Sequence, residues 1–433
     1  MSATSGASES HLRQPEQGGM HRVLLASDVA SAAARLRAAQ SVAHDPSRAA
    51  DVLSRAVALW RDRNYPRRHD AIAQIARQLG YSVALLDESL DALLKPFSHA
   101  ALSSLAEKVS RAGRTDTPTL LGFIMAGNVA GAGLHEIAIG LVAGAGLLVK
   151  TASTEPVFFD QFARTLAELD REVASRIAVF NWSRAREDLS AAMAASCDRL
   201  IAYGDDATIE SIRNNAAMIG FGSRVSGAVV GPTAMVPERI DAVAEALARD
   251  VALFEQLGCL SPHHVFVLSH STGAARDFAA RVAKALERLG DSMPPAKIPL
   301  RDAAEILGVR ERARWRRIAG ESVELFEGPR LEWTVVFEPE SIDDNRFMVS
   351  PGFRTVHVTG VRDEDQLRES VDSASGRIEA MAVAGDDAET RRISEMLRAL
   401  GVCYVALPGE MQSPPLLWRH GGGAFLDMMV ASR

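Results

Sequence analysis

The sequence predicts an α/β fold in which two doubly wound α/β units follow a helical N-terminal region. Beyond residue 115, short apolar segments alternate with amphipathic segments. Strands that alternate with helices of about ten to fifteen residues are typical of parallel sheets covered on both faces. Before residue 115, alanine, leucine and arginine recur at three- and four-residue spacing, which indicates helices. A chain of 433 residues with 47% hydrophobic content can form two or three sizeable cores.

These changes of pattern divide the chain. Residues 1–20 are rich in serine, glycine, glutamine and glutamate, and are expected to form a disordered tail. Residues 21–114 are the helical region, residues 115–225 the first α/β unit, and residues 226–405 the second. Residues 406–433 form a C-terminal segment that we expect to pack back on the first unit or on a partner subunit.

The individual elements follow from apolar runs, helical periodicity and chain breakers. Within residues 29–108, the helical pattern breaks at residues 64–66 and 94–96, where prolines occur. Strands are predicted at residues 121–126, 147–149, 177–180, 199–203, 225–230, 265–268, 333–337, 355–358 and 380–383. Helices beyond residue 115 are predicted at residues 132–142, 155–173, 186–195, 206–217, 237–254 and 274–289.

Composition and charge argue against several classes of function. The net charge of −7 gives no general attraction to nucleic acid, and no basic segment is interleaved with aromatic residues. The uncharged segment 117–135 contains Pro118, Asn128 and glycines, so a buried strand and a tight loop are expected there instead of a membrane span. The N-terminal residues lack the features of a signal peptide and the chain has only three cysteines, so a cytoplasmic location is expected.

Cys259 is the candidate nucleophile. It lies where a helical pattern gives way to the apolar strand at residues 265–268, a junction at which a thiol can be held in a cleft. A thiolate attacks acyl carbons well, and nearby positive groups favour it. A lone cysteine is more often a small core residue, and that role is the one expected for Cys197 and Cys403.

Strand ends carry the other candidates. The glycine-rich segment 127–133 can bind an anionic ligand, or can simply permit close packing of helix on sheet. Asn128 within it can donate its amide to an oxyanion. Lys150 ends a strand at the edge where open α/β sheets bind ligands, although it can also be a solvated charge. Asp205 or Asp206 is expected to cap the next helix.

No metal site is expected. His263 and His264 follow the candidate nucleophile, but adjacent residues of a strand point to opposite faces. No other set of cysteines and histidines has the spacing of a zinc site.

Ordered motifs extend from about residue 120 to the C-terminus. They are Gly127-Asn-Val-Ala-Gly-Ala-Gly133 with Glu136, Leu148-Val-Lys150 with Glu155-Pro156, Tyr203-Gly204-Asp205, Phe254-Glu-Gln-Leu-Gly-Cys259-Leu-Ser-Pro262, Pro351-Gly-Phe-Arg-Thr-Val356, and Pro414-Pro415 with Trp418 and Gly421. Together they resemble the aldehyde dehydrogenase superfamily, and more closely its acyl-CoA reductase family, that of the fatty acid reductase subunit of bacterial bioluminescence. The resemblance implies an aldehyde dehydrogenase-like fold, with a nicotinamide cofactor-binding domain at residues 115–225 and a catalytic domain at residues 226–405.

The resemblance also implies roles for single residues. Cys259 would be the nucleophile that forms a thioester with the acyl group, and Asn128 would stabilise the oxyanion together with the backbone N–H of the cysteine. Lys150 would hold the adenosine ribose, and Gly204 would lie in the turn beneath the pyrophosphate. Ser153 stands where NAD-preferring relatives often have glutamate; a neutral residue leaves room for a 2′-phosphate and favours NADPH, with NADH as the alternative.

One departure from the superfamily pattern bears on the reaction. Residues 220–226 correspond to a segment that carries a glutamate base in hydrolytic aldehyde dehydrogenases, and here they contain no carboxylate. Release of an acyl group to water needs such a base. We therefore expect NADPH-dependent reduction of an acyl-CoA, by resemblance a fatty acyl-CoA, to the aldehyde.

The alternatives are a water-using aldehyde dehydrogenase and a non-catalytic nucleotide-binding partner subunit. The resemblance further implies a homo-oligomer, and leaves open whether CoA, a carrier protein or an acyl-transferring partner subunit is the donor.

Overall fold

The structure is a computed structural model. It describes residues 23–112, 120–212, 217–269, 271–339 and 347–430. The disordered tail predicted for residues 1–20 lies outside these described residues. Among the helices that are described, none has both the length and the apolar character needed to cross a membrane.

A run of helices is followed by alternating strands and helices. The helices of the described residues are α1 (Ala26–Gln40), α2 (Pro46–Arg61), α3 (Pro66–Leu79), α4 (Val83–Leu94), α5 (His99–Ala112), α6 (Leu134–Val142), α7 (Val157–Leu169), α8 (Arg171–Ala174), α9 (Glu187–Ser196), α10 (Asp206–Ile212), α11 (Ile240–Ala252), α12 (Thr272–Ser292), α13 (Leu300–Ile318), α14 (Glu364–Asp372), α15 (Asp387–Ala399) and α16 (Phe425–Val430). The strands are β1 (Leu120–Ile124), β2 (Gly146–Thr151), β3 (Ile177–Asn181), β4 (Arg199–Tyr203), β5 (Met218–Phe221), β6 (Val225–Val230), β7 (Pro262–Leu268), β8 (Glu324–Glu327), β9 (Thr334–Glu338), β10 (Thr355–Val361), β11 (Ile378–Ala384) and β12 (Tyr404–Ala406).

The strands of the described residues form two sheets. The first has the order β3-β2-β1-β4-β5 and is parallel throughout. The second has the order β12-β11-β6-β7-β10-β9-β8 and is parallel except for β8, which runs antiparallel to β9. The inner strand β6 is buried along its whole length, which is typical of parallel strands covered on both faces. The predicted α/β fold is confirmed.

The N-terminal helices share a core with the first sheet. The fully buried ring of Trp60 on α2 lies 5.1 Å from the ring of Phe158 and 5.8 Å from that of Phe162, both on α7. The predicted breaks in the helical pattern are confirmed, since Pro66 begins α3 and α4 ends at Leu94. Proline suits the first turn of a helix, where its missing N–H leaves no bond unmade.

Several elements differ from the sequence prediction. The strands β5, β8 and β12 are not predicted, because they are only three or four residues long and mostly half-exposed. The helix predicted at residues 237–254 ends at Ala252, and the backbone becomes left-handed at Phe254. The helix predicted at residues 206–217 ends at Ile212, and residues 213–216 lie outside the described part of the chain.

Candidate active site

The candidate nucleophile follows a strained turn. Helix α11 ends at Ala252, after which Phe254, Glu255 and Gln256 have φ angles of 52°, 52° and 62°. A left-handed backbone costs a non-glycine residue roughly 1–2 kcal/mol, so three in succession persist only when their surroundings hold them. The turn leads directly to Cys259, which is half-buried just before β7.

Buried hydrogen bonds hold this turn in place. The side-chain N–H of Gln256 donates to the carbonyl oxygens of Pro262 and Thr355, both at 2.7 Å. Its side-chain oxygen accepts from the backbone N–H of Thr355 at 2.8 Å. The backbone N–H of Phe254 donates to the hydroxyl of Ser89, on α4, at 3.0 Å. The turn is therefore fixed both to the second sheet and to the helical N-terminal region.

A buried ion pair fixes the same turn from another side. The guanidinium of Arg354 donates to the Glu255 carboxylate at 2.8 Å and to the carbonyl oxygen of Met293 at 2.9 Å. Glu255 also accepts from the backbone N–H of Ala296 at 3.0 Å. The exposed fraction is 0% for Arg354 and 1% for Glu255. Charges removed from water this completely depend on each other, so loss of either partner would leave the other buried and unpaired in or beside the segment that precedes Cys259.

The three cysteines lie in different surroundings. Burial raises the pKa of Cys197 to about 12 and that of Cys403 to about 11. Both thiols are therefore protonated at neutral pH and are poor nucleophiles. Cys259 is half-buried, and its backbone oxygen accepts from the hydroxyl of Ser226 at 2.6 Å. Of the three, Cys259 has the surroundings that suit a nucleophile best.

The loop between β1 and α6 lies against the nucleophile segment. The side-chain amide of Asn128 donates to the carbonyl oxygen of Leu257 at 2.7 Å. The backbone oxygen of Asn128 accepts from the hydroxyl of Tyr81 at 3.0 Å. The structure thus brings Asn128 next to the segment that carries Cys259. Its amide is bonded there to the main chain two residues before the cysteine.

Glycine is required at two positions of this loop. A Cβ atom on Gly127 would lie 1.9 Å from the hydroxyl oxygen of Thr154. Gly133 precedes α6 with a φ of 89°, and a Cβ there would lie 3.2 Å from the ring of Tyr203. Close packing of helix on sheet, one of the two roles that the sequence leaves open for this loop, accounts for Gly133, whereas Gly127 packs against the loop that follows β2.

His420 is clamped between two aromatic rings next to Cys259. The centroid of its ring lies 3.9 Å from that of Phe221 and 4.5 Å from that of Trp418, with interplanar angles of 11° and 20°. Its Nδ1 atom lies 2.8 Å from Oε1 of Glu136, on α6. The thiol of Cys259 is within hydrogen-bonding reach of the same ring. Stacking fixes the plane of the imidazole and Glu136 fixes its rotation within that plane.

The charges around His420 favour its protonated form. Burial opposes the charge, but the carboxylate of Glu136 and hydrogen bonds to Cys259 and Glu136 raise the pKa of His420 above its ordinary value. Burial would keep Glu136 neutral, yet the charge of His420 and the hydrogen bond between them lower the pKa of Glu136. Each of the two side chains therefore favours the charged form of the other.

A second carboxylate, that of Glu379, lies near this pair. Glu379 is fully buried on β11 and accepts from the backbone N–H of Gly421 at 2.8 Å, while Arg224 lies 3.6 Å away. The missing carboxylate in residues 220–226 therefore does not leave the site free of carboxylates. Glu136 and Glu379 reach it from distant elements, but both already bind donors of the chain itself.

The candidate cofactor residues lie along the carboxyl edge of the first sheet. Lys150 is the penultimate residue of β2, and the Ser153 hydroxyl donates to the carbonyl oxygen of Trp182 at 3.4 Å. Gly204 follows β4, and its N–H donates to the carbonyl oxygen of Phe221 at 3.2 Å. Because parallel strands end at the same edge, the structure brings Lys150, Ser153 and Gly204 to one side of the sheet.

Arg184 adds a second cation at this edge. It follows β3, and its guanidinium donates to the hydroxyl of Thr208, on α10, at 3.1 Å. Burial and the charge of Arg184 lower the pKa of Lys150. Among the described residues, no acceptor forms a hydrogen bond with the Lys150 ammonium. Two neighbouring cations of this kind fit a bound phosphate group.

Asp205 caps α10, as one of the two sequence alternatives predicts. Its carboxylate accepts from the backbone N–H of Thr208 at 2.7 Å. The carboxylate of Asp206 accepts instead from the backbone N–H of Ser223 at 2.8 Å. Both carboxylates thus accept hydrogen bonds from backbone N–H groups of the chain itself.

His263 and His264 have separate partners. Nδ1 of His263 lies 2.8 Å from the hydroxyl of Ser350, and Nε2 of His264 lies 2.8 Å from the hydroxyl of Thr359. Burial lowers the pKa of both histidines, which makes them neutral packing residues. In the described ranges, no group of three or more histidine, cysteine or acidic side chains is arranged to hold a metal ion.

Sequence reasoning missed two residues of the site, His420 and Arg184. His420 lies in the segment Arg419-His-Gly-Gly-Gly423, and the run of glycines beside it is the sequence feature by which it could have been noticed as a site residue. Arg184 follows a predicted strand whose carboxyl end had to lie near Lys150 in a parallel sheet. Glu136 belongs to a recognised motif, but its partner is distant in sequence and the motif alone gave it no role.

Comparison with known proteins places this chain in a family. A family model described as acyl-CoA reductase (LuxC) matches residues 46–432. A long-chain acyl-protein thioester reductase of Aliivibrio fischeri is 22% identical over 330 residues, which cover 71% of this chain and 66% of the relative. Long-chain acyl-protein thioester reductase 2 of Photobacterium leiognathi is 23% identical over 257 residues, 54% of this chain and 52% of the relative. The chain thus spans about half to two thirds of the curated relatives it matches.

Solved structures confirm the aldehyde dehydrogenase-like fold. An oxidoreductase from Marinobacter aquaeolei has a TM-score of 0.69 at 14% identity, over 94% of this chain and 89% of that one. The salicylaldehyde dehydrogenase of Pseudomonas putida G7 has a TM-score of 0.68 at 18% identity, over 93% of this chain and 88% of that one. The family model covers the glycine-rich loop, Lys150, Cys259 and His420 alike. The resemblance predicted from the ordered motifs is therefore confirmed, and the chain belongs to the acyl-CoA reductase (LuxC) family.

Proposed function

We propose that the protein is an acyl-CoA reductase, which converts an acyl thioester to the aldehyde through a thioester on Cys259 with NADPH as reductant. The observation that carries this proposal is the position of Cys259. Its half-buried thiol ends a turn held by buried hydrogen bonds, and it lies beside the Asn128 loop in a chain of the acyl-CoA reductase family.

Asn128 is proposed to stabilise the oxyanion that forms when Cys259 attacks the thioester carbonyl. Its amide N–H group now points at the carbonyl oxygen of Leu257. Rotation of the side chain would turn the same donor toward an oxygen bound at the cysteine. A donor aimed at a developing oxyanion typically lowers the barrier by about 3–4 kcal/mol.

Reduction is favoured over hydrolysis by the state of the acidic and basic groups. A hydrolytic enzyme needs a base to activate water. Glu136 is paired with His420, and Glu379 accepts from the backbone of Gly421. The raised pKa of His420 makes its ring an acid at neutral pH. Before acylation, Glu136 and His420 are therefore not suited to remove a proton from water, and the water-using dehydrogenase remains the second candidate.

The carboxyl edge of the first sheet fits a nicotinamide dinucleotide. Lys150 and Arg184 would hold phosphate oxygens and the adenosine ribose, and the neutral side chain of Ser153 leaves space for a 2′-phosphate. Gly204 would allow the backbone to approach the pyrophosphate. When bound, the reduced nicotinamide supplies the hydride. These features support NADPH over NADH.

The donor and the assembly are also proposals. The names of the relatives describe a long-chain acyl group carried on a protein, so acyl-CoA and acylated carrier protein are both donors to test. A homo-oligomer in the cytoplasm, with or without an acyl-transferring partner subunit, is the setting that the family resemblance implies.

The experiment that tests the function compares Cys259→Ala with the matched control Cys403→Ala. NADPH oxidation is followed with a panel of acyl-CoAs of increasing chain length. We expect Cys259→Ala to lower the rate by at least about a thousandfold, as loss of a nucleophile does, and Cys403→Ala to change it less than threefold. NADPH binding, measured by fluorescence, should survive in both variants.

Three results would contradict the proposal. Normal NADPH oxidation by Cys259→Ala would exclude the cysteine mechanism. Reduction of NADP⁺ with an aldehyde and no CoA would indicate the water-using dehydrogenase. Binding of NADPH without acylation by any acyl thioester would indicate a non-catalytic nucleotide-binding subunit.

A further inference from the structure

We propose that His420, oriented by Glu136, holds Cys259 as a thiolate and then donates its proton to the thiol that leaves the substrate. This inference deepens the proposed function and rests on it. In this account His420 is a catalytic residue, because it contacts the reacting sulfur, and Glu136 is a positioning residue.

The geometry limits His420 to one orientation. Phe221 and Trp418 stack on its two faces at 3.9 Å and 4.5 Å, and neither ring leaves room for the imidazole to tip. Glu136 binds Nδ1 at 2.8 Å, which leaves Nε2 as the ring nitrogen available to the thiol of Cys259. The order carboxylate, imidazole, thiol matches the arrangement by which a base activates a nucleophile and a third group orients the base.

The charges near the ring come from several elements. The groups that face it are Glu136 and His135 on α6, Tyr203 on β4, Cys259 before β7, and Glu379 on β11 with its neighbour Arg224. Burial opposes the imidazolium, whereas the Glu136 carboxylate and Cys259 favour it. The pKa of His420 is raised because these two groups together outweigh burial. Aromatic faces on both sides of the ring add cation–π attraction.

The proposed step balances as follows. The Cys259 thiolate forms a C–S bond to the thioester carbonyl carbon, and the tetrahedral intermediate then breaks the C–S bond to CoA. The departing sulfur takes the proton from Nε2 of His420, so CoA leaves as the neutral thiol and the imidazole becomes neutral. After the aldehyde has formed and Cys259 is again a thiolate, His420 regains a proton from solvent.

A first experiment measures whether His420 keeps Cys259 ionised. The rate of Cys259 alkylation by iodoacetamide is measured from pH 5 to pH 9 in wild type, His420→Gln and Glu136→Gln. A thiol of ordinary pKa, about 8.5, loses roughly two hundredfold in alkylation rate between pH 9 and pH 6. We expect the wild type to lose less than about tenfold, His420→Gln to show the full loss, and Glu136→Gln to fall between them.

The matched control is His44→Gln. His44 is half-buried, and its Nε2 lies 2.8 Å from the carbonyl oxygen of Val142, at the far end of the helix that carries Glu136. We expect its alkylation profile to be that of the wild type. A wild-type profile with the full loss of an ordinary thiol, or identical profiles in wild type and His420→Gln, would overturn the ion pair between Cys259 and His420.

A second experiment isolates the proton donation. Thiol release is measured in single turnovers without NADPH for an acyl-CoA and for the same acyl group on thiophenol, whose thiolate leaves without a proton. At pH 9, where the attacking thiol is largely ionised in every variant, we expect His420→Gln to slow CoA release by about a hundredfold or more, the usual contribution of a general acid. Release of thiophenol should slow less than about tenfold.

The outcomes separate this inference from the proposed function. Equal slowing of both esters in His420→Gln, or no slowing of either, would overturn the proton donation while acylation of the wild type still supports the reductase. Failure of the wild type to become acylated at all would overturn the proposed function. If His420→Gln does not fold, the ratio of the thiophenol release rate to the CoA release rate is measured in Glu136→Gln instead. Loss of the positioning carboxylate must raise this ratio, as loss of the proton donor would.

Discussion

Removal of Arg354 should show how strongly the site depends on the turn before Cys259. The perturbation is Arg354→Met, which keeps much of the side-chain volume but leaves the fully buried Glu255 carboxylate without its cation. Among the described residues, only the backbone N–H of Ala296 would then still donate a hydrogen bond to that carboxylate. The turn that contains Glu255 has a left-handed backbone at three successive residues. These residues do not favour that conformation by themselves, so the turn depends on its contacts.

The expected magnitude follows from burial. Removing one partner of a buried ion pair costs about 3–5 kcal/mol, because the other charge stays buried and unpaired. This is a large part of the roughly 5–15 kcal/mol that stabilises a typical domain. Replacing both partners, as in Glu255→Gln with Arg354→Met, removes the unpaired charge. We therefore expect the double variant to be more stable than Arg354→Met alone by at least about 1 kcal/mol.

The assay is urea unfolding followed by tryptophan fluorescence, with Arg392→Met as the matched control. Arg392 pairs with Glu364 at 2.6 Å, but its side chain is 58% exposed, and loss of such a surface pair costs less than about 1 kcal/mol. The reasoning would be refuted if Arg354→Met cost no more than Arg392→Met. Strict additivity of the two substitutions in the double variant would refute the coupling between Glu255 and Arg354.

Further predictions concern the proposed oxyanion donor, the proposed cofactor site and the loop. Asn128→Ala should slow acylation of Cys259 by about a hundredfold or more, measured as CoA release in a single turnover; Asn128→Asp, which lacks the donor, should be no faster. Ser153→Glu should raise the ratio of the Kd for NADPH to the Kd for NADH at least about tenfold, because a carboxylate repels a 2′-phosphate. An unchanged ratio in fluorescence titrations would exclude Ser153 from contact with the 2′-phosphate. Gly127→Ala should lower the melting temperature by several degrees, because its Cβ would clash with Thr154; a thermal scan equal to the wild type would show that the loop can yield.

The fold could be predicted from local pattern to a large extent. The apolar runs that became β1, β2, β4, β6, β7 and β10 alternate with helical segments, and the prolines at residues 66 and 96 mark the breaks between N-terminal helices. What local pattern missed was short or half-exposed, such as β12, which has three residues and no buried run. The left-handed turn that ends α11 was also missed, because contacts from Ser89, Thr355 and Arg354 hold it and none of them is near in sequence.

The site divides in the same way. Asn128, Lys150 and Gly204 each lie where a strand ends, so the parallel sheet brings them to one edge and the sequence could predict their grouping. His420 could not be placed in this way, since it lies 284 residues from Glu136 and reaches the thiol from the C-terminal segment. Its state of charge depends on that long-range contact, which no spacing or motif contains. Only the structure therefore distinguishes whether His420 is a free base or an acid paired with Glu136.

Direct detection of the acyl group on Cys259 tests the central claim. The wild-type protein is mixed with a long-chain acyl-CoA in the absence of NADPH, digested, and analysed by mass spectrometry, and a second sample receives NADPH before digestion. The account predicts one acyl group per chain on the peptide that contains Cys259, and its loss as aldehyde when NADPH is added. An unmodified Cys259 with every acyl donor, or an acyl group that leaves as the free acid, would contradict it.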